Sequence, residues 1–136
     1  MGMVDGKICL VTGGASNPGL GHAIAHKLAN EGATVIVTDV DGEGAERTAA
    51  EIQEAGGQAQ AWEQDVTDEA VWDSTIARIR EEHGRLDALI NNAGIAILKT
   101  LPELSLADYN RQMLVNMTSV FPVSYTHLTL PTMDSV

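Results

Sequence analysis

The chain has 136 residues, of which 44% are apolar and 20% are charged, so its size suits one small globular domain. Its 19 acidic and 8 basic groups give a formal net charge of -11, which repels the phosphates of nucleic acids and anionic membranes. Nucleic acid and membranes are therefore excluded as expected partners, and no apolar stretch is long enough to span a bilayer.

The cytoplasm is the expected location, because the N-terminus lacks the basic and apolar segments of a secretory signal. The single cysteine, Cys9, lies in an apolar run and is expected to be a small buried side chain. His22, His26 and His83 lie on predicted helix faces without metal-ligand spacing to a carboxylate cluster. We therefore expect these histidines to be solvated and expect no metal site.

Strands and helices alternate along the chain. The runs that predict strands are Lys7–Thr12, Thr34–Asp39, Gln58–Gln64 and Leu86–Asn91. The residues that recur at helical spacing between and after them are Leu20, Ile24 and Leu28; Ala45, Ala49 and Ile52; Trp72, Ile76 and Ile79; and Tyr109, Met113 and Met117. Gly32, Gly56 and Gly84 follow three of these segments, where a left-handed helix end favours glycine. The order predicts an α/β, Rossmann-like, doubly wound parallel sheet with helices on both faces.

A glycine-rich turn joins the first strand to the first helix. Gly13 suits the tight turn, Gly19 allows a pyrophosphate to approach the backbone, and Gly21 allows the helix to pack against the strand. The N-terminus of that helix offers unpaired N–H groups and a partial positive charge to phosphates. A purely structural turn would have a similar composition, but the position between a strand and a helix favours nucleotide binding.

The second strand ends in Asp39, 18 residues after Gly21. A carboxylate there can accept hydrogen bonds from both ribose hydroxyls and repels a 2′-phosphate. The pattern therefore favours NAD over NADP as the cofactor. A helix cap or a solvated loop residue is the structural alternative for Asp39.

Four motifs in this order resemble those of the short-chain dehydrogenase/reductase family, over roughly residues 7 to 121. They are Thr12-Gly13 through Gly19-Leu20-Gly21, Asp65-Val66 after the third strand, Asn91-Asn92-Ala93-Gly94 after the fourth, and Asn116 in Val115-Asn116-Met117. The resemblance implies an NAD(H)-dependent oxidoreductase that acts on a small carbonyl or alcohol substrate. It also implies a homo-oligomeric full-length protein and a sequence that ends after the family's fifth helix.

The resemblance assigns a role to each matching residue. The implied cofactor-binding residues are Gly13, Ser16, Asn17, Gly19, Leu20, Gly21, Asp39, Asp65, Val66, Asn92, Ala93 and Gly94. Asp65 and Val66 would contact adenine, although Asp65 can equally help to cap the next helix. Asn116 is the implied catalytic residue, as the anchor of a water in a proton relay, and a structural hydrogen bond is its alternative. Five residues separate Gly13 from Gly19 where the family usually has three, which leaves the individual contacts of Ser16 and Asn17 open.

The family's catalytic serine and Tyr-x-x-x-Lys pair do not match this sequence. Tyr109 is followed four residues later by Met113, and Tyr125 by Thr129. Residues 122–136 resemble a translated sequencing-library adapter, so we expect native sequence over 1–121 and a non-native tail beyond it. We expect the chain alone to be inactive and to leave its last strand as an unpaired sheet edge.

Two other function classes share parts of this pattern. A non-enzymatic dinucleotide-binding regulator could be built on the same fold, because fold does not fix function. A methyltransferase-like domain shares the glycine turn and the acidic strand end. The Asn92-Ala93-Gly94 and Asn116 matches favour the dehydrogenase over the methyltransferase.

Overall fold

A computed structural model of the protein describes residues 2–93 and residue 107. The strands are β1 (Ile8–Thr12), β2 (Thr34–Asp39), β3 (Gln58–Glu63) and β4 (Ala88–Ile90), and the helices are α1 (Leu20–Asn30), α2 (Gly42–Glu54) and α3 (Glu69–His83). All strand pairs are parallel, in the order β3-β2-β1-β4. The predicted α/β class is confirmed. The predicted helix through Tyr109, Met113 and Met117 and the predicted tail 122–136 lie outside the described residues.

Side-chain alternation along β1 and β2 produces a core on each face of the sheet. Cys9 and Val11 of β1 point towards α1 and α2, whereas Leu10 points towards α3. The helix residues that pack against the face of Cys9 and Val11 are Ala25, Ala29, Ala45, Ala49 and Ile52. Those that pack against the face of Leu10 are Trp72, Ile76 and Ile79. Both central strands are buried on both faces, as their continuous apolar runs predicted.

The buried face of α1 differs from the predicted one. Leu20 is 69% exposed, and Ile24 and Leu28 are only partly buried. The fully packed positions are Gly21, Ala25 and Ala29. Small side chains allow the helix axis to approach the sheet closely. The helix therefore packs on the sheet through Gly21, Ala25 and Ala29 and not through the larger apolar residues. In α2 and α3, by contrast, the predicted stripes are the buried ones.

Glycines end the helices as predicted. Gly32, Gly56 and Gly84 have φ values of 99°, 90° and 79°, in the left-handed region. The predicted bounds of β4 are too wide, because the chain leaves the sheet after Ile90 and the Asn92 N–H bonds to the Thr12 hydroxyl instead. None of the helices in the described part has the length and apolar composition needed to cross a membrane.

The start of β4 is joined to the start of β1 through a carboxylate. Asp87 Oδ2 accepts a hydrogen bond of 2.8 Å from the backbone N–H of Ile8 and one of 2.9 Å from Arg85 Nε. The bond from Ile8, followed by the bond from Arg85, lowers the pKa of Asp87 below its ordinary value. A carboxyl whose pKa is depressed by folding stabilises the native state above its unfolded pKa, and this stabilisation is lost as pH falls through the folded value.

We predict that Asp87→Asn lowers the free energy of unfolding by about 1 kcal/mol at pH 7, since a neutral amide accepts these bonds more weakly. The difference from wild type shrinks as pH falls, first through the ordinary pKa of an aspartate in the unfolded chain and then through the lowered pKa of the native Asp87. Urea unfolding at pH 7 and in acid measures the effect. Glu46→Gln, which removes an exposed charge from α2, serves as the matched control. A constant difference at all pH values would contradict the assignment.

Candidate active site

The carboxyl ends of β2, β1 and β4 lie side by side, and most of the predicted site residues lie at this edge. Parallel strands direct these ends to one side of the sheet, where doubly wound folds bind ligands. The loop of residues 13–19 joins the end of β1 to α1 at the same place. Its predicted contact residues Ser16 and Asn17 are exposed.

The Thr12 hydroxyl organises the junction between β1 and β4. Its Oγ1 accepts hydrogen bonds of 3.1 Å from the backbone N–H groups of Asn92 and Ala93, and donates to the Ile90 carbonyl at 3.3 Å. The Asn92 side-chain amide donates to the Gly13 carbonyl at 3.0 Å. Thr12 is part of the glycine-rich motif, but the sequence analysis assigned it no role. Its position, a hydroxyl residue at the end of the strand and directly before Gly13, is the sequence feature that could have indicated one.

Gly13 and Gly21 make contacts that a side chain would block. Gly13 has a φ of 72°, and a Cβ there would lie 2.7 Å from Ala93 Cα. A Cβ on Gly21 would overlap the Gly13 carbonyl oxygen and the Asn92 amide nitrogen. Gly21 therefore allows the first turn of α1 to pack on the end of β1, as the glycine spacing predicted.

The N-terminus of α1 is open, unlike those of the other two described helices. Its N-cap residue, Gly19, has extended backbone and no side-chain hydrogen bond, and its first turn contains no acidic residue. Asp41 and Asp68 cap α2 and α3 by accepting backbone N–H bonds, and each of those helices has a glutamate in its first turn. The first turn of α1 thus keeps both its amide donors and its partial positive charge available.

Asp39 lies beside the glycine-rich turn, where the sequence placed it. Its Oδ2 accepts a 3.1 Å bond from Ala15 N, and its Oδ1 accepts a 3.0 Å bond from Asp41 N. The Thr38 carbonyl accepts bonds from Gly13 N at 2.8 Å and from Gly14 N at 3.2 Å. Each carboxylate oxygen has a second lone pair, so Asp39 retains the capacity to accept ligand hydroxyls.

Asp65 and Val66 lie two strands from the turn, after the end of β3. Asp65 Oδ1 accepts a 2.7 Å bond from the Thr67 hydroxyl and a 2.9 Å bond from Thr67 N, and these bonds lower its pKa. Val66 is buried, and its carbonyl accepts a 2.8 Å bond from Trp72 Nε1. Both residues therefore have structural roles in the entry to α3, whose N-cap is Asp68.

Two predicted site residues, Gly94 and Asn116, lie outside the described residues. Within the described part, the sheet order brings together four of the predicted features: the glycine-rich turn, Asp39, Asn92 and Ala93. Asn92 and Ala93 are half-buried at the end of β4. Leu20, the predicted contact residue at the start of α1, is largely exposed beside the open helix end.

The expectation that the histidines lie away from carboxylates is wrong for two of them. His22 Nε2 lies 2.7 Å and His26 Nε2 3.1 Å from Glu51 Oε2. Helices α1 and α2 pack on the same face of the sheet, which brings together residues that are 25 or more positions apart. His83 contacts Gln60 Oε1 at 2.8 Å and is half-buried rather than solvated.

Comparisons with known proteins agree with this architecture. The profile of the short chain dehydrogenase family matches residues 7–135. The cyclopentanol dehydrogenase of Comamonas sp. (strain NCIMB 9872) is 44% identical over 121 residues, which are 89% of this chain and 48% of that protein. The D-threitol dehydrogenase of Mycolicibacterium smegmatis is 39% identical over 118 residues, 87% of this chain and 45% of that protein. A solved short chain dehydrogenase from Mycobacterium smegmatis superposes with a TM-score of 0.84 at 31% identity, covering 91% of this chain and 52% of the other. The chain thus spans about half the length of the curated relatives it matches.

We predict that Thr12→Val lowers the free energy of unfolding by about 1–3 kcal/mol, because the Ala93 N–H loses its acceptor and the Asn92 N–H keeps only the Ile90 carbonyl, at 3.0 Å. Thr38→Val is the matched control: Thr38 aligns with Thr12 on the adjacent strand, is equally buried, and its hydroxyl has no hydrogen-bond partner within the described structure. Thr38→Val should be neutral or slightly stabilising. Chemical denaturation measures both, and equal losses would show that the Thr12 hydroxyl does not hold the junction.

Proposed function

This chain belongs to the short-chain dehydrogenase family, and we propose that it forms the cofactor-binding part of an NAD(H)-dependent oxidoreductase. Members of the family bind nicotinamide dinucleotides, with NAD or NADP as the alternatives. The bound nicotinamide would supply the hydride chemistry, and the protein would supply binding and orientation. The observation that carries the proposal is the open N-terminus of α1 beside Asp39, at the carboxyl edge of the sheet.

The open end of α1 fits the diphosphate of a dinucleotide. Its amides have no capping side chain, and the first turn contains no acidic residue, so the helix itself offers an anion donors and a partial positive charge. Gly19 at the N-cap has no side chain to hinder the approach of a phosphate. The exposed Leu20 would cover an apolar part of the cofactor, and the exposed Ser16 and Asn17 would add polar contacts along the loop.

Asp39 fits the ribose next to that diphosphate. Its carboxylate is anchored to the turn through Ala15 N, which fixes its distance from the open helix end. Two ribose hydroxyls can donate to its remaining lone pairs, whereas a 2′-phosphate would meet a like charge. We therefore propose NAD as the preferred cofactor. Asp65 and Val66 would contact the adenine, at the far end of the same edge.

The substrate class follows from the family and from the relatives. The two curated relatives are named as dehydrogenases of cyclopentanol and of D-threitol, which are both alcohols. We propose a small alcohol or carbonyl compound as the substrate of the whole protein. Asn92, Ala93 and Gly94 would lie beside the nicotinamide, and Asn116 would hold a water of the proton relay. The serine and Tyr-x-x-x-Lys residues that complete such a site are not among these 136 residues.

We predict that Asp39→Asn weakens NAD binding by about 10-fold or more, the loss expected for charge-assisted hydrogen bonds, and narrows the preference for NAD over NADP. Calorimetric titration of the complete protein with each dinucleotide measures both effects. Asp5→Asn removes the same charge ahead of β1, at the opposite edge of the sheet, and should leave both affinities unchanged. The ribose assignment is overturned if the Asp39 variant keeps the wild-type affinities and preference.

A further inference from the structure

His22, His26 and Glu51 form a cluster that the proposed dinucleotide site does not use. The two histidines are four residues apart on α1, so both rings project from one face of the helix, with centroids 4.4 Å apart. Glu51 comes from α2, and the three donor atoms all lie within 4.8 Å of one another. We propose that this cluster is a site for a divalent transition-metal ion of the zinc type, which would bridge α1 and α2.

The donor set matches the chemistry of zinc. Two imidazole nitrogens and one carboxylate oxygen are among its preferred ligands, with a water in the fourth tetrahedral position. At zinc–ligand distances of about 2.0–2.1 Å, tetrahedral donor atoms lie about 3.3 Å apart. The present separations from Glu51 Oε2 are 2.7 Å for His22 Nε2 and 3.1 Å for His26 Nε2, so each histidine nitrogen needs to move away from that oxygen by only about 0.2–0.6 Å.

Accessibility and charge also favour a cation here. The side chains of His22, His26 and Glu51 are 16%, 31% and 44% exposed, so an ion can enter from solvent without unfolding either helix. The nearby cation Lys27 is paired with Glu31 at 3.1 Å, and the net charge of -11 attracts positive ions.

Without metal, the same residues hold the helices by hydrogen bonds. A carboxylate can only accept hydrogen bonds, so each Nε2 atom donates its proton to Glu51. Metal binding would instead require the proton on Nδ1 and the Nε2 lone pair towards the ion. The ion would therefore replace two hydrogen bonds with three coordinate bonds between α1 and α2. Metal that binds only the folded protein stabilises it by mass action.

Titration of the tag-free complete chain with zinc chloride, followed by calorimetry and thermal unfolding, tests the proposal. We expect one zinc ion per chain and a rise in Tm that a chelator reverses. His26→Asn and Glu51→Gln should each weaken zinc binding by about tenfold or more, because each removes one of three ligands. Circular dichroism verifies that both surface variants are folded.

His83→Asn is the matched control, because it removes a histidine of α3 that contacts Gln60 and should leave zinc binding unchanged. Cobalt(II) chloride provides a second readout, since its visible absorption reports tetrahedral nitrogen and oxygen ligands and should be lost in Glu51→Gln. Absence of zinc binding at about 100 μM metal, well above a micromolar dissociation constant, overturns the proposal. So does equal zinc affinity in wild type and both cluster variants. Dinucleotide affinity is measured separately and bears on neither outcome.

Discussion

The whole arrangement depends on a side-chain-free contact between the glycine-rich turn and the end of β4. Gly13 packs against Ala93, and Gly21 packs against the Gly13 carbonyl and the Asn92 amide, at distances that leave no room for a Cβ. This contact seats the first turn of α1 directly on the carboxyl edge of the sheet. The direction and position of the helix end, and with them its capacity to bind an anion, follow from that packing.

The N-termini of α2 and α3 are capped and contribute to stability, whereas the N-terminus of α1 is left open for binding. Asp41 and Asp68 satisfy the first amides of α2 and α3, which stabilises each helix by about 0.5–2 kcal/mol. Helix α1 forgoes this stabilisation, since Gly19 offers no side chain. Its neighbour Asp39 makes its bonds to the turn itself, through Ala15 N, and so places a carboxylate next to unsatisfied donors. The partial positive charge of the α1 N-terminus thus lies beside the negative Asp39 carboxylate. This pair suits a ligand that has both phosphates and hydroxyls.

The positions of the central strands and of the helix ends were predictable from short segments of the sequence. Continuous apolar runs located β1 and β2 to within one residue, and the glycines at positions 32, 56 and 84 located the helix ends, because both signals act over a few residues. The buried face of α1 was not predictable from apolar spacing, since the close approach of the helix to the sheet selects Ala25 and Ala29 over larger neighbours. The role of Thr12 and the meeting of His26 with Glu51 depend on contacts between distant segments, which periodicity does not encode.

A crystal structure of the complete protein with bound NAD would show whether the open end of α1 holds the diphosphate. We expect the diphosphate against the backbone amides at the start of α1, with the adenosine ribose hydroxyls within hydrogen-bond distance of the Asp39 carboxylate. A dinucleotide that lies elsewhere on the protein, or one whose diphosphate is held by side chains remote from Gly19, would contradict it.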